Sequence, residues 1–381
     1  MSEFIFHPGP RILAGAGKAA ELPALLPDRP VLFVTDPGVS ALNLADDCLA
    51  AFHSSGRHLV IFDQVEADPS RATLLAAVEA GRAAGVSCVV GFGGGSPMDV
   101  AKLAAYLLGS GDELDAIWGV GLAKGRRLPL ALVPTTAGTG SEATPVAVIT
   151  VEGAEKRGVN SPALIADWAV LDAHLTIGMP RSLTAATGID AIVHAVEAYT
   201  SARLKNPISD LHAREALRLL SANLLQACEQ PDDLQARGAM LLGAHLAGLA
   251  FANAPVAGVH ALAYPLGGIH HLPHGLSNAL MLRHVLAFNA EAAREQYAEL
   301  AEIVDPRCVG LGSQARAAVL IERLDELVTA SGLQPRLRDH GVGFEEAPLL
   351  AREAMKQTRL LVNNPVEITE ADARRLYEAA W

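Results

Sequence analysis

Asp190 and His194 lie four residues apart in an otherwise apolar stretch, GIDAIVH (188–194). That spacing puts both side chains on one face of a helix. Ala, Ile and Val surround them, so the face is expected to be buried, and a carboxylate beside an imidazole away from water needs partners. An ion pair would satisfy the two alone; a shared metal would satisfy them with others. The segment HALAYPLGGIHHLPHG (260–275) offers His260, His270, His271 and His274. One carboxylate and three imidazoles would leave a divalent cation with a single net positive charge. Such a mixed nitrogen and oxygen set suits iron(II) or zinc, and also cobalt or manganese. Residue types alone leave open which of the four later histidines ligate.

Two loops have phosphate-binding chemistry. GFGGGSPMD (91–99) follows the apolar run VSCVVG and opens a helical pattern. Glycines let a ligand approach the backbone, and a new helix presents free N–H groups to an anion. The spacing is not the GxGxxG of a Rossmann turn. PTTAGTGSE (134–142), dense in hydroxyls and glycines, follows the run LPLALV. Two such loops at the carboxyl ends of strands are what an open α/β sheet uses to build a ligand crevice. Asp36 follows the run VLFVT (31–35) and precedes Pro37. Its carboxylate can form a turn, or accept from ribose hydroxyls and repel a 2′-phosphate, favouring NAD over NADP.

The elements that must position these groups change character along the chain. Strand-like runs at 31–35, 58–63, 86–91 and 128–133 alternate with helical patterns at 39–54, 71–84 and 96–108. Alternation of this kind predicts a parallel sheet with right-handed crossovers. Beyond Gly178 the pattern is helical, at 183–200, 209–226, 233–252 and 274–287. The expectation is an α/β dinucleotide-binding domain over 1–178 and an all-α metal-binding and catalytic domain over 179–381.

Composition limits the partners. Half of the 381 residues are hydrophobic, enough for large cores, and the formal net charge is −12. That charge disfavours nucleic acid and anionic membrane, both of which call for clustered Lys and Arg. Lys124, Arg126 and Arg127 read as a solvated basic loop. Cys48, Cys88, Cys228 and Cys308 are isolated, with no CxxC pair, as expected in a reducing cytoplasm. The N-terminus shows no signal-peptide pattern, and no run reaches the ~20 apolar residues of a membrane span.

Together the turn GGGSPMD (93–99), the loop PTTAGTGSE (134–142), the stretch TGIDAIVHAVEAYTS (187–201) and the 260–275 segment ending in Pro-His-Gly resemble the iron-containing alcohol dehydrogenase family, over essentially the whole chain. Propanediol and lactaldehyde reductases are the members it resembles most. The resemblance implies a dehydroquinate synthase-like fold and hydride transfer between NAD(H) and a small alcohol, aldehyde or ketone. It implies iron(II), with zinc as the alternative, on Asp190, His194, His260 and His274, so that His270 and His271 are not ligands. It assigns Gly94, Gly95 and Ser96 to the pyrophosphate, Asp36 to the adenosine ribose, and Thr135, Thr136, Thr139 and Lys156 to positions along the cofactor. A homodimer is the usual unit.

Two departures stand out. Tyr264 occupies a place where the family often has His, and a phenol is a poorer proton carrier near neutrality than an imidazole. Tyr264 and His271 are the candidate proton-relay residues. Asp68 stands where Asn is common. Phe251 and Asn253 are read as lining the substrate cleft. Two other readings use the same residues: an NAD- and metal-dependent lyase on this scaffold, and a cofactor-binding homologue whose catalysis is impaired by Tyr264.

Overall fold

The computed structural model describes residues 3–152 and 155–381. It contains two compact units, His7–Ile177 and Gly178–Trp381, and the described residues before His7 belong with the second. Phe6 there stacks on His212, ring centroids 5.7 Å apart.

The first unit is built on a six-stranded sheet: β1 (Arg11–Ala14), β2 (Val31–Val34), β3 (Leu59–Phe62), β4 (Cys88–Gly93), β6 (Leu130–Pro134) and β9 (Trp168–Leu171). Their order is β1-β9-β6-β4-β2-β3, and every pairing is parallel. The inner strands β2, β4, β6 and β9 are buried on both faces, which is why their sequences are apolar throughout rather than alternating, whereas the edge strands β1 and β3 are partly exposed. Leu32 and Val34 of β2 face one core with Leu74 and Met98, whereas Val31 and Phe33 face the other with Phe52 and Phe92. Helices α1 (Asp46–Ser54), α2 (Arg71–Ala83) and α3 (Gly95–Ser110) supply much of the covering layers. Ser70 caps α2, its side chain accepting from Thr73 N at 3.2 Å.

The parallel sheet and the helical second unit agree with the sequence expectation; two local readings are corrected, and β1, β9 and a second sheet were not foreseen. The helical pattern at 39–54 is broken: Pro37–Ala41 and α1 are separate, with Asn43 at φ 54 between them. Asn tolerates that left-handed backbone, which an uninterrupted helix forbids. The second sheet joins β5 (Gly119–Val120), β8 (Lys156–Asn160) and β7 (Val146–Thr150). Arg127 is no solvated loop residue. Its guanidinium bonds Asp167 at 2.7 and 3.0 Å and Ile165 O at 2.6 and 2.9 Å, while Leu130 N also donates to Asp167 at 2.8 Å. This clamp fixes the entry of β6 against that of β9.

The second unit is helical: α4 (Arg181–Thr200), α5 (Pro207–Glu229), α6 (Leu234–Asn253), α7 (Gly258–His270), α8 (His274–Asn289), α9 (Arg294–Val304), α10 (Ser313–Ala330), α11 (Ala347–Ala354) and α12 (Glu370–Ala380), with shorter turns between. Sixteen of the 20 residues of α4 are buried, which puts its polar members inside the unit. Among the described residues no single helix is long and apolar enough to cross a membrane. All four cysteines are free and buried, and burial, reinforced by Asp172, pushes the Cys48 thiol up to about 12.

Burial pulls the Asp167 carboxyl upward, but Arg127 and the Leu130 N–H outweigh it and hold it below its ordinary value of 3.8. A lowered folded value gives stability that is present above 3.8 and lost as pH falls through the folded value. Asp167→Asn is therefore expected to cost about 1 kcal/mol at pH 7, allowing for the half-exposed carboxylate. In urea unfolding this deficit should shrink below pH 3.8; a deficit constant with pH would show that the charge is not the cause.

Candidate functional site

The direction of sheet growth reverses at β2, which pairs with β3 on one side and β4 on the other. The reversal opens a crevice outside the carboxyl ends of β2 and β4, the place where open α/β sheets bind ligands. A cavity of about 470 Å³ lies there, lined by Asp36, Gly94, Gly95 and Ser96 among others. The β4–α3 turn is tight for stated reasons. Gly93 has φ 147, and a Cβ on it would lie 2.8 Å from both Asp36 Oδ2 and Pro97 Cγ. Asp36 does two things: Oδ1 accepts from Val39 N at 2.9 Å, and the residue lines the cavity.

The second loop stands against the first. A Cβ on Gly95 would lie 3.0 Å from Thr139 Cγ2, and one on Gly94 would lie 3.7 Å from Thr136 Oγ1. Thr135 is buried beside them in sequence. Lys156 is placed differently, on β8, where Nζ meets Asp68 Oδ1 at 2.6 Å; it is not among the residues lining this cavity.

Sequence reasoning missed what holds the two loops together. Lys102 of α3 is fully buried and donates to Ser141 Oγ at 2.8 Å, Thr144 Oγ1 at 3.2 Å and Val146 O at 2.7 Å. Asp99 accepts from Ser141 Oγ at 2.6 Å and from Val148 N at 2.8 Å. Burial draws the Lys102 ammonium below its ordinary value, against the opposing pull of Asp99 and Glu142. The signal was available: Asp99 and Lys102 lie three apart on a helix otherwise rich in Ala, Leu and Val.

In the second unit, Asp190, His194, His260 and His274 converge: one ligand-type atom of each lies within 4.8 Å of the others. Asp190 Oδ1 is 4.0 Å from His194 Nε2, 3.8 Å from His260 Nε2 and 3.5 Å from His274 Nε2. Four ligand atoms about 2.1 Å from a tetrahedral cation would be separated by about 3.4 Å, and wider coordination opens some of those edges. The donor set and its spacing therefore fit a divalent metal. Three of the four residues are buried, whereas the His274 side chain is 40% exposed, so the cluster has one open rim.

Ring packing fixes the imidazoles. His194 stacks on Phe251 at 4.4 Å and on His260 at 4.7 Å. Tyr264, one turn beyond His260 on α7, sets its ring 5.9 Å from that of His274. His270 instead lies 3.2 Å from Glu346, and His271 ends α7 as an exposed residue with φ 55; neither joins the cluster. Burial alone would raise the Asp190 carboxyl, but its neighbours His194, His274 and His260, with the Asn278 amide, hold it below the ordinary range.

Two further buried groups touch the cluster and went unnoticed in the sequence. Asn278 Nδ2 donates to Asp190 Oδ1 at 2.6 Å, and Glu197 Oε2 lies 2.7 Å from His260 Nδ1. Their helical offsets, four from His274 and three from His194, were the available signal.

Residues 9–173 match the family described as iron-containing alcohol dehydrogenase, and residues 184–381 match the C-terminal part of the Fe-containing alcohol dehydrogenase family. The chain belongs to that family of metal-dependent oxidoreductases. It is 38% identical to long-chain-alcohol dehydrogenase 1 of Geobacillus thermodenitrificans, covering 92% of this chain and 89% of that one. A crystal structure of 1,3-propanediol oxidoreductase superposes with a TM-score of 0.95 at 34% identity, covering the whole of both chains. Sulfoacetaldehyde reductase from Bifidobacterium kashiwanohense, solved with NAD+, gives 0.88 at 28% identity, covering 100% of this chain and 99% of that one.

One contact decides whether His274 reaches Asp190. Gly275 packs α8 on α4, and a Cβ there would overlap Ala186 O and lie 2.7 Å from Ala186 C. Gly275→Ala is expected to cost about 1–3 kcal/mol and to move His274 out of ligand range. Equilibrium dialysis against zinc should then show weaker binding than wild type; unchanged binding would mean that the helices yield elsewhere.

Proposed function

We propose that this chain interconverts a small primary or secondary alcohol and its aldehyde or ketone, with NAD(H) as the hydride carrier and iron(II), or alternatively zinc, as the metal. The observation that carries the reading is the convergence of one carboxylate and three imidazoles on a partly open rim. When bound, the metal acts as a Lewis acid toward the substrate oxygen, and the nicotinamide gives or takes the hydride.

The residues of the chain do the rest. Asp190, His194 and His260 hold the metal from the buried side, and His274 closes the set at the rim. Tyr264 stands at that rim and offers a hydroxyl to the substrate or to ordered water. His271, exposed at the end of α7, is the weaker relay candidate because it lies outside the cluster. In the first unit, Gly94, Gly95 and Ser96 bind the pyrophosphate through backbone N–H groups at the start of α3. Asp36 accepts from the adenosine ribose, and Thr135, Thr136 and Thr139 run along the cofactor. Lys156 reaches the cofactor only by leaving Asp68.

Oxidation of the alcohol releases one aldehyde or ketone, one NADH and one proton, so turnover is followed at the reduced-nicotinamide absorbance. His260→Ala is expected to lose metal on dialysis and to lower turnover on a panel of short aldehydes at least about 100-fold while retaining the helical circular dichroism. Full metal content in that variant would remove His260 from the set. Asp36→Gly is expected to raise the kcat/KM ratio of NADP over NAD about tenfold by removing a like charge from the 2′-phosphate. An unaltered ratio would take Asp36 out of cofactor selection.

A further inference from the structure

Glu197 is buried on α4, one turn beyond His194, and is not a member of the ligand set. Its carboxylate receives three N–H groups. Oε1 accepts from Val259 N at 2.6 Å; Oε2 accepts from Ala257 N at 2.9 Å and lies 2.7 Å from His260 Nδ1. The two backbone donors sit at the first turn of α7, whose N-cap, Ala257, has no capping side chain of its own. A carboxylate at a helix N-terminus is favoured in its charged form. A charged carboxylate can only accept, so His260 Nδ1 must carry the proton. In the neutral ring that a cation requires, Nε2 is then the lone pair; the Asn278 amide nitrogen, a donor, lies 3.2 Å from it, and Asp190 Oδ1 is 3.8 Å away.

We infer that Glu197 is the positioning residue of the metal centre: it fixes the Nδ1–H tautomer of His260 and seats the first turn of α7, so that Nε2 is presented to the cation. The inference rests on the metal assignment above. Surrounding contacts fit this duty. The turn before α7 is pinned by Ser201 Oγ on Pro255 O at 2.7 Å and by Asn363 Nδ2 on Val256 O at 2.9 Å. Of the groups pinning that turn, Glu197 is the one that also touches a ligand ring. Its charge, with that of Asp190, brings a divalent cation and its surroundings to neutrality, which suits a buried site.

An amide cannot reproduce this pattern. Gln at 197 has one oxygen for three donors. With its NH2 toward Val259, two donors face each other. With its NH2 toward His260, it donates to Nδ1 and moves the ring proton to Nε2, where it blocks ligation.

The test uses the metal-free full-length chain, titrated with zinc against a chromophoric chelator. Glu197→Gln is expected to bind zinc about 10- to 100-fold more weakly than wild type. Glu197→Asp, which keeps the charge on a shorter arm, should recover part of the loss. Nitrogen-15 histidine spectra of zinc-loaded wild type should place the His260 proton on Nδ1. Urea unfolding of each metal-free variant separates the alternatives, because a merely structural Glu197 would lower the midpoint and leave zinc affinity intact. That result, or equal affinity in both variants, would overturn the inference. Should the Gln variant not fold, the Asp variant decides alone: weaker zinc binding by a folded protein supports the role, and wild-type affinity overturns it. A wild-type chain that takes up no zinc or iron would instead remove the metal assignment, and this inference with it.

Discussion

A carboxylate sealed among three imidazoles is a costly arrangement unless something positive is shared between them. Much of the second unit can be understood as the means of assembling that group. Asp190 and His194 come from one buried helix, so their separation is set by helical pitch alone. His260 and His274 come from two others and must be brought to them. Gly275 does so for His274 by letting α8 touch the backbone of α4. Glu197 and the pinned turn before α7 do so for His260. The stack of Phe251, His194 and His260 then fixes the ring planes. Only His274 is left partly in water, and a substrate oxygen needs such an edge.

The first unit answers a different constraint. A dinucleotide carries a pyrophosphate that must meet N–H groups without losing its charge, and a strand-to-helix turn at the reversal point of a parallel sheet offers them. The two glycine-containing loops are held at fixed separation from below by Lys102, Asp99 and Ser141, side chains that do not line the cavity. A buried lysine is tolerated there because three oxygens and a nearby carboxylate surround its ammonium.

How much of this was legible depended on whether the signal was local. Asp190 and His194 could be read from spacing, because four residues on a helix is a fixed geometry. Choosing His260 and His274 over His270 and His271 needed the family resemblance, since ring positions at the end of α7 are set by tertiary packing. Asn278 and Glu197 escaped because a lone Asn or Glu on a helix is ordinarily solvated, and their offsets from His274 and His194 become informative only once those two histidines are known to be ligands. Strands β2, β3, β4 and β6 were plain as apolar runs, whereas the short β1 (RILA) and β9 (WAVL) were not read, β8 (KRGVN) is polar and β5 has two residues, so pairing defines them. Helix α7 was hidden by Pro265 and by the glycines at 267 and 268, which lower local helical propensity; Pro265 is buried in the helix and the glycines fall in its last turn.

Whether one cation is shared by these four side chains is read most directly by X-ray absorption on the zinc- or iron-loaded protein. The account requires one metal per chain, with a first shell of three imidazole nitrogens and one carboxylate oxygen at about 2.0–2.2 Å. A shell of oxygens only, or one lacking the imidazole scattering pattern, would contradict it.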